Sequence, residues 1–208
     1  MKFLKKINKG LLLTIILLVV LVIYFKSVER QREANKPEIK KACEEFIAFT
    51  DKYVVLPEDM QTFTGKISKE DEEKLKKQLK EELEKYMIKD DESIEMQSKY
   101  LFDELNKSYN TENQLKTGNK RIMTKILGYQ FEGNQVTVQF NSSVEMNYKY
   151  IEDDIEKEKK DILSGTKDEI TLQKYNGQWK VVYSNMQFDN NDNMYYDNMY
   201  YDDQLITY

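Results

Sequence analysis

The sequence predicts an α+β protein in which one membrane-spanning helix precedes a domain of helices packed on an antiparallel sheet. Three observations support this class. Residues 11–25 read LLLTIILLVVLVIYF and carry no charge. Apolar residues then recur at helical spacing between residues 37 and 107, and alternation of apolar and polar residues follows Gly118. These two periods are typical of amphipathic helices and of half-buried strands, respectively.

The apolar run predicts an uncleaved signal-anchor helix. With Gly10 it has sixteen residues, or roughly 24 Å of helix, and lysines at both ends can extend this toward the ~30 Å of a hydrocarbon layer. A cleaved signal peptide begins in the same way, but no small-x-small pair and no lipid-accepting cysteine follow the run. We therefore expect a transmembrane segment at 11–25, between a basic N-terminus at 1–10 and a linker at 26–36.

The orientation of this helix is predicted by the order of its segments. Four basic residues precede the run and six follow it before residue 42, so the Lys and Arg counts alone do not place the N-terminus inside. A short basic start, an apolar core and a large following domain are typical of signal sequences, and large domains are translocated largely regardless of charge. We expect residues 1–10 in the cytoplasm and the domain outside it, at the cell membrane.

Composition excludes several functions for the domain. Residues 37–208 hold 24 basic and 35 acidic residues, a net charge of −11, and such a domain repels nucleic acid and anionic lipid. The absence of histidine excludes Ser-His-Asp and Cys-His catalysis and most zinc sites. Cys43 is the only cysteine, so no internal disulfide forms, and we interpret it as a small core residue. No glycine-rich phosphate loop is present, and we expect no cofactor and no metal.

Three helices are expected in the domain. Pro37 suits a helix start, and the first helix should end near Tyr53, before Pro57. Ser68 can cap a second helix, with Asp71 three residues on. A third should span about 92–107. The predicted inward residues are Ile39, Cys43, Phe46, Ile47, Thr50 and Tyr53, then Leu75, Leu79, Leu83 and Tyr86, then Ile94, Leu101, Phe102 and Leu105.

Two antiparallel hairpins are expected after the helices. Residues 136–150 alternate, with mainly apolar even positions, and follow a strand at 122–131 and a turn at 132–135. Asn176-Gly177 favours a two-residue type I′ turn, which makes Trp179 an inward core anchor of the last hairpin. Residues 152–168 are dense in charge and predict a solvated loop or short helix. The opposed pairs in the last hairpin would be Lys174 and Trp179, Leu172 and Val181, and Ile170 and Tyr183.

The element order and the final hairpin resemble the NTF2-like superfamily. From about Pro37 to Met186 the chain has helices and then hairpins, and it ends in Asn176-Gly177-Gln178-Trp179-Lys180-Val181-Val182. The resemblance implies an NTF2-like cone at 37–188, in which a curved antiparallel sheet wraps around a long N-terminal helix. With its anchor, the chain is also similar to VirB8-like and TcpC-like envelope proteins of conjugation machines, which are non-enzymatic assembly proteins.

The candidate acids and bases do not predict an enzyme. Enzymatic NTF2-like domains can use a pocket tyrosine with a carboxylate. No inward position of the 136–150 strand or of the last hairpin carries Asp or Glu, and Tyr148 and Tyr150 are expected to be core aromatics. We therefore predict no catalytic residue and no enzymatic activity.

Residues 189–208 form a tail rich in Asp, Asn and Tyr, without a basic residue. As an EF-hand loop from Asp189 it would place Met194 where glycine is needed and Tyr200 where a bidentate glutamate is needed, which argues against that site. The composition predicts disorder. The alternative is a contact strip for a partner, because tyrosine supplies large contact area at low entropy cost. The contact residues would be Tyr195, Tyr196, Tyr200 and Tyr201.

Two functions remain compatible with the sequence. The first is a membrane-anchored assembly or protein-interaction module of the cell envelope, related to secretion or conjugation, whose partner is an envelope protein or a second copy. The second is an anchored small-ligand-binding or sensor domain that uses the pocket of the cone. A cavity with converging polar groups would favour ligand binding, and a cone closed by its own aromatics would favour assembly.

Overall fold

The protein is an α+β protein with a long N-terminal helix and a four-stranded antiparallel sheet. The computed structural model describes residues 9–63, 66–109 and 113–186. The described residues form two units, one up to Lys40 and one from Lys41 onward. The helices are α1 (Lys9–Tyr53), α2 (Lys69–Leu83) and α3 (Asp91–Tyr109), with a 3₁₀ turn at Glu58–Met60. The strands are β1 (Gln114–Glu132), β2 (Gln135–Glu152), β3 (Ile155–Tyr175) and β4 (Gln178–Asn185).

The first unit contains the apolar part of α1. Its large apolar side chains between Leu11 and Phe25 are 43–64 % exposed, so none of them is packed inside a protein core. Within the helix, the Thr14 hydroxyl donates to the Gly10 carbonyl at 3.0 Å, which removes one polar group from the apolar surface. The predicted N-terminal apolar helix is thus confirmed, and it is long and apolar enough to cross a membrane.

The predicted helix start at Pro37 is wrong. Helix α1 is continuous from Lys9 to Tyr53 and contains Pro37, so the segment 26–36 that we predicted as a linker is helical. An internal proline costs about 3 kcal/mol because it lacks an N–H and crowds the preceding turn. Residues 28–36 contain no glycine and are mostly good helix formers, and Glu33 pairs with Lys36 at 2.6 Å. This flanking propensity offsets the cost of the proline.

The domain helices bury the stripes that their periodicity predicts. Ser68 caps α2 by accepting from the Asp71 backbone N–H at 3.1 Å, and Asp90 accepts in the same way from Ser93 at 3.0 Å before α3. Tyr86 is the one exception, because α2 ends at Leu83 and leaves it half-buried. The confirmed buried residues are Ile39, Cys43, Phe46, Ile47, Thr50 and Tyr53 of α1, Leu75, Leu79 and Leu83 of α2, and Ile94, Leu101, Phe102 and Leu105 of α3.

The sheet has the order β1-β2-β3-β4, with neighbouring strands joined by tight turns. Strand β2 alternates as predicted, and its even positions from Val136 to Met146 are buried. Tyr148 and Tyr150 are half-buried and not core residues. Strand β1 begins at Gln114, eight residues before the predicted start, because its three register shifts against β2 interrupt the alternation on which the prediction depended.

The prediction of a loop or short helix at 152–168 is wrong. Residues 153 and 154 form a two-residue turn with φ of 54° and 60°, and β3 begins directly after it at Ile155. Positive φ at both positions gives the turn that matches strand twist, although aspartate adopts it less readily than glycine or asparagine. Across the hairpin, Lys149 pairs with Glu156 at 2.9 Å and Lys160 with Glu145 at 2.7 Å. Cross-strand charge pairs therefore replace the apolar face that a strand usually shows.

The last hairpin has the predicted turn and part of the predicted register. Asn176 and Gly177 have φ of 49° and 82°, and Lys174 lies opposite Trp179, as Leu172 lies opposite Val181. The third pair is wrong, because a bulge places Tyr183 opposite Thr171. Trp179 is half-buried and not a fully enclosed anchor. One of its faces carries the Lys174 ammonium, 5.6 Å from the ring centre.

Candidate functional site

A cleft of about 360 Å³ lies in the second unit where the end of α1 meets α2, α3 and the start of β1. Its wall is mainly apolar, and Asp51, Tyr53 and Asn119 bring polar groups to it. A concave site with an apolar wall and a few polar groups is typical of a small-ligand pocket. The apolar lining is formed by Val55, Leu56, Pro57, Leu75 and Leu105.

Asp51 joins the end of α1 to strand β1. One carboxylate oxygen accepts from the Asn119 side-chain amide at 2.5 Å, and the other accepts from the Arg121 backbone N–H at 2.6 Å. Burial raises the pKa of Asp51 above its ordinary value, and the hydrogen bond from Arg121 and the nearby positive charges oppose this rise only in part. The carboxyl group of Asp51 is therefore harder to ionise than that of a solvent-exposed aspartate.

Two further polar atoms are enclosed at the cleft. Among the described residues, the Asn119 side-chain oxygen and the Tyr53 hydroxyl make no hydrogen bond of ordinary geometry. Glu82 nevertheless lies close enough to Tyr53 to act on it, and burial together with this carboxylate raises the pKa of Tyr53. The phenol therefore stays protonated at neutral pH.

A buried ion pair lies behind Asp51 on the inner face of the sheet. The Arg121 guanidinium contacts the Asp168 carboxylate, and both side chains have 0 % exposure. Arg121 also donates a hydrogen bond to the Ser142 hydroxyl at 3.1 Å. The Ser142 and Thr166 hydroxyls are hydrogen-bonded to each other at 2.5 Å, and either can be the donor. The strands β1, β2 and β3 are thereby joined at one level through a single polar network.

This network is structural in character and not a catalytic centre. Asp168 and Arg121 are sealed from solvent, so neither can contact a substrate or exchange protons with one. Ser142 has no exposed surface. Cys43 is also buried, and burial raises the pKa of its thiol to about 12, which keeps it in the unreactive protonated form. In the ranges that the structure describes, no group of three or more side chains has the chemistry to hold a metal.

The residues of this network were not predicted from the sequence. We predicted no inward Asp or Glu in the last hairpin, but Asp168 points inward from β3, two residues before Ile170. The error follows from starting the strand at Glu169. The pattern Thr166, Asp168, Ile170, Leu172 alternates with exposed or half-buried residues and could have revealed the earlier start. The sequence around Asp51 does not indicate its role, because its hydrogen-bond partners lie about 70 residues away in the chain.

The edges of the sheet differ in how they are covered. On the outer side of β4, Val181 donates to the Tyr86 carbonyl and accepts from the Ile88 N–H, both at 2.9 Å. On the outer side of β1, Asp51 accepts a hydrogen bond from the Arg121 backbone N–H, and three register shifts distort the strand. Such bulges and coverings protect an edge from pairing with other chains.

The first half of β3 has no comparable cover. Strand β4 pairs with β3 only from Glu169 to Tyr175, so within the described ranges no strand lies on that side of residues 155–168. The side chains of residues 155–164 are exposed, except for the half-buried Lys157 and Leu163, and this part pairs with β2 without a register shift as far as Leu163. We refer to Ile155–Ser164 as the open edge. It presents a regular row of backbone groups that another strand could pair with.

The predicted contact residues in the tail, Tyr195, Tyr196, Tyr200 and Tyr201, lie outside the described residues, as does the whole segment 189–208. They stay a prediction.

No family model matches the chain, and no curated protein or solved structure shows significant similarity to it.

Proposed function

We propose that the protein is a non-enzymatic, single-pass membrane protein whose domain, outside the cytoplasm, binds a protein of the cell envelope. The open edge of β3 is the observation that carries this proposal. The exposed apolar residues of α1 supply the anchor, and the helices with a four-stranded antiparallel sheet are compatible with an NTF2-like cone. Involvement in secretion or conjugation follows from that resemblance only.

The inner face of the sheet also favours an interaction module over an enzyme. Phe140, Val138 and Val144 fill it, and the buried Arg121 and Asp168 side chains pair with each other. We therefore expect binding at the surface of the domain, where the open edge offers ten residues of strand.

A site-specific crosslinking experiment tests the proposal in native membranes. A photo-crosslinking side chain at Ile162, which is 62 % exposed on the open edge, should capture a protein, and the matched position Ile122, 49 % exposed on β1, should not. Lys160→Pro removes a backbone N–H that faces away from β2, and should abolish capture, whereas Lys160→Ala should retain it. Equal capture at both isoleucines, or capture unaffected by proline, would contradict the proposal.

The orientation is tested separately by protease protection. In cells whose wall has been opened, added protease should remove the domain while leaving the short segment before Leu11 intact. Survival of the domain until the membrane is broken would reverse the proposed orientation.

A second candidate function is binding of a small ligand in the cleft. The observation that favours it is the enclosed Asn119 side-chain oxygen, which accepts no hydrogen bond from a described residue and lies beside an apolar wall. A molecule with an apolar body and one hydrogen-bond donor, such as a phenol, has matching chemistry. We expect 4-ethylphenol to shift NMR signals of cleft residues in the full chain in detergent. The effect should be lost in Leu105→Trp, which fills the cleft, and retained in Leu127→Trp, which lies on exposed β1.

A further inference from the structure

The turn before the open edge determines which of its residues direct their backbone N–H and C=O groups away from β2. We call this alternation the backbone phase. The turn at residues 153 and 154 makes Glu152 and Ile155 a hydrogen-bonded pair. Because such pairs alternate along an antiparallel ladder, residues 155, 157, 159, 161 and 163 turn their N–H and C=O groups toward β2. Residues 156, 158, 160 and 162 turn theirs outward. Any added antiparallel strand must therefore pair with this even-numbered set.

The charge sequence of the open edge is complementary to the same sequence running in the opposite direction. Residues 157–161 read Lys-Glu-Lys-Lys-Asp. When two copies run antiparallel with Lys159 at the centre, Glu158 of each faces Lys160 of the other, and Lys157 of each faces Asp161 of the other. Four opposite-charge pairs form against one like pair at the centre. Cross-strand pairs of opposite charge stabilise an antiparallel ladder, and like pairs destabilise it.

The neighbouring registers lack this match. A centre one residue earlier places Glu158 opposite itself and Lys157 opposite Lys159. A centre one residue later places Lys160 opposite itself. All three registers satisfy the backbone phase, because each pairs outward-facing even-numbered residues with one another, so the charge pairs alone favour the register centred on Lys159. The like pair at its centre is moderated within each copy, since the Lys159 ammonium lies 3.1 Å from Asp161.

We propose that the open edge pairs with the open edge of a second copy of this chain, in an antiparallel register centred on Lys159. The two sheets then continue into one another through backbone hydrogen bonds, and the edge that no described segment covers is covered by its own counterpart. This inference rests on the proposed function, which it deepens by identifying the binding partner.

Disulfide trapping tests the register. At the centre, residue 159 faces its counterpart as a non-hydrogen-bonded pair, for which Cα atoms are about 4.5 Å apart, within disulfide range. Lys159→Cys should give a covalent dimer under mild oxidation in native membranes. Lys157→Cys is the matched control, because residue 157 opposes residue 161 and its counterpart lies about four residues away, roughly 13 Å along the strand. The native Cys43 is buried and stays silent.

Charge exchange tests the pairing without a covalent bond. Glu158→Lys replaces two attractions by two repulsions and should weaken dimerisation of the full chain in detergent on the order of tenfold, by analytical ultracentrifugation. Adding Lys160→Glu to it restores both pairs and should restore the dimer. Both residues are exposed, so circular dichroism should show the same fold in all variants.

The outcomes separate this inference from the proposed function. Trapping of Lys159→Cys but not Lys157→Cys, with rescue by the double exchange, supports the dimer. Equal trapping of both variants indicates random collision and overturns it. A monomer whose Ile162 crosslinks to a different protein also overturns the dimer while leaving the proposed function standing. No crosslink of any kind at the open edge contradicts both.

Discussion

The two halves of β3 show how one strand can serve two purposes. From Thr166 to Leu172 the inward residues are buried, and they include Asp168 with its ion pair. From Ile155 to Leu163 the same strand is exposed, charged and paired on one side only. The glycine between them, Gly165, has φ of 79° at the register shift against β2. Both halves pair antiparallel with β2, so they differ in burial and not in strand formation.

The buried half of β3 contributes most of the strand's stability. The buried half holds the sheet to the domain core, and the exposed half is held by its ladder with β2 and by ion pairs at the surface, each worth about 0–1 kcal/mol. Substitutions of the same kind in the two halves should therefore have very different costs.

The largest contrast is expected between two aspartates. Asp168→Ala leaves Arg121 buried without its counter-charge and should lower the free energy of unfolding by about 3–5 kcal/mol. Asp161→Ala, in the exposed half, should change it by less than about 0.5 kcal/mol. Urea unfolding of the full chain in detergent, followed by circular dichroism, measures both. Equal losses would contradict the division of β3.

A double variant sharpens the interpretation of that ion pair. Replacing both partners, Arg121→Met with Asp168→Leu, removes two buried charges together, and such exchanges are often neutral or stabilising. We expect the double variant to be more stable than Asp168→Ala alone. A loss equal to the sum of the single losses would show that Ser142 and Thr166 depend on the charged pair for their own hydrogen bonds.

The next contrast uses two isoleucines of β3. Ile170 has 0 % exposure and Ile162 has 62 %. Ile170→Ala opens a cavity in the core and should cost about 3 kcal/mol. Ile162→Ala should stay within about 0.5 kcal/mol of the wild type. The same urea titration tests the pair, and a costly Ile162→Ala would show that the open edge is already covered in the isolated protein.

Trp179 is expected to lie between these extremes. Truncation of a fully buried tryptophan costs about 3–5 kcal/mol, but the half-buried indole has Lys174 over one face. We expect Trp179→Ala to cost about 2 kcal/mol. Tyr175→Ala, at the 43 % exposed position beside the same turn, is the control and should cost less than about 1 kcal/mol. An unchanged urea midpoint for Trp179→Ala would contradict its partial burial.

The sequence predicted those parts of the fold whose signal is local. Residues three and four apart in a helix share a face, so the buried stripes of α2 and α3 could be read directly. Asn176-Gly177 determined its turn because few residue types accept positive φ at two successive positions. The turn at residues 153 and 154 uses two aspartates for the same backbone, and the charged strand after it has no apolar alternation to reveal it.

The candidate site could not be predicted in the same way, because its contacts are distant in sequence. Asp51 meets Arg121 across 70 residues, and Arg121 meets Asp168 across 47. Nothing in the composition near any of the three residues indicates a partner. The open edge is also a property of the register, since it depends on where β4 stops at Asn185.

The smallest expected effect is the pH dependence that Asp51 contributes to stability. It contrasts Asp51 at the cleft with Asp168 in the buried ion pair. Burial raises the pKa of Asp51 in the folded protein, so between its ordinary and its raised pKa the folded state binds more protons than the unfolded state. Stability from Asp51 is then fully present below the ordinary carboxyl pKa and is lost as the pH rises through the raised value. Asp51→Asn removes this titration while keeping a similar shape. We therefore expect the unfolding free energy of the wild type, minus that of Asp51→Asn, to fall as the pH rises from about 4 toward 7, in urea titrations at each pH. A difference that stays constant or grows with pH would show that the hydrogen bonds from Asn119 and Arg121 outweigh burial, and that Asp51 is held as a charged structural residue like Asp168.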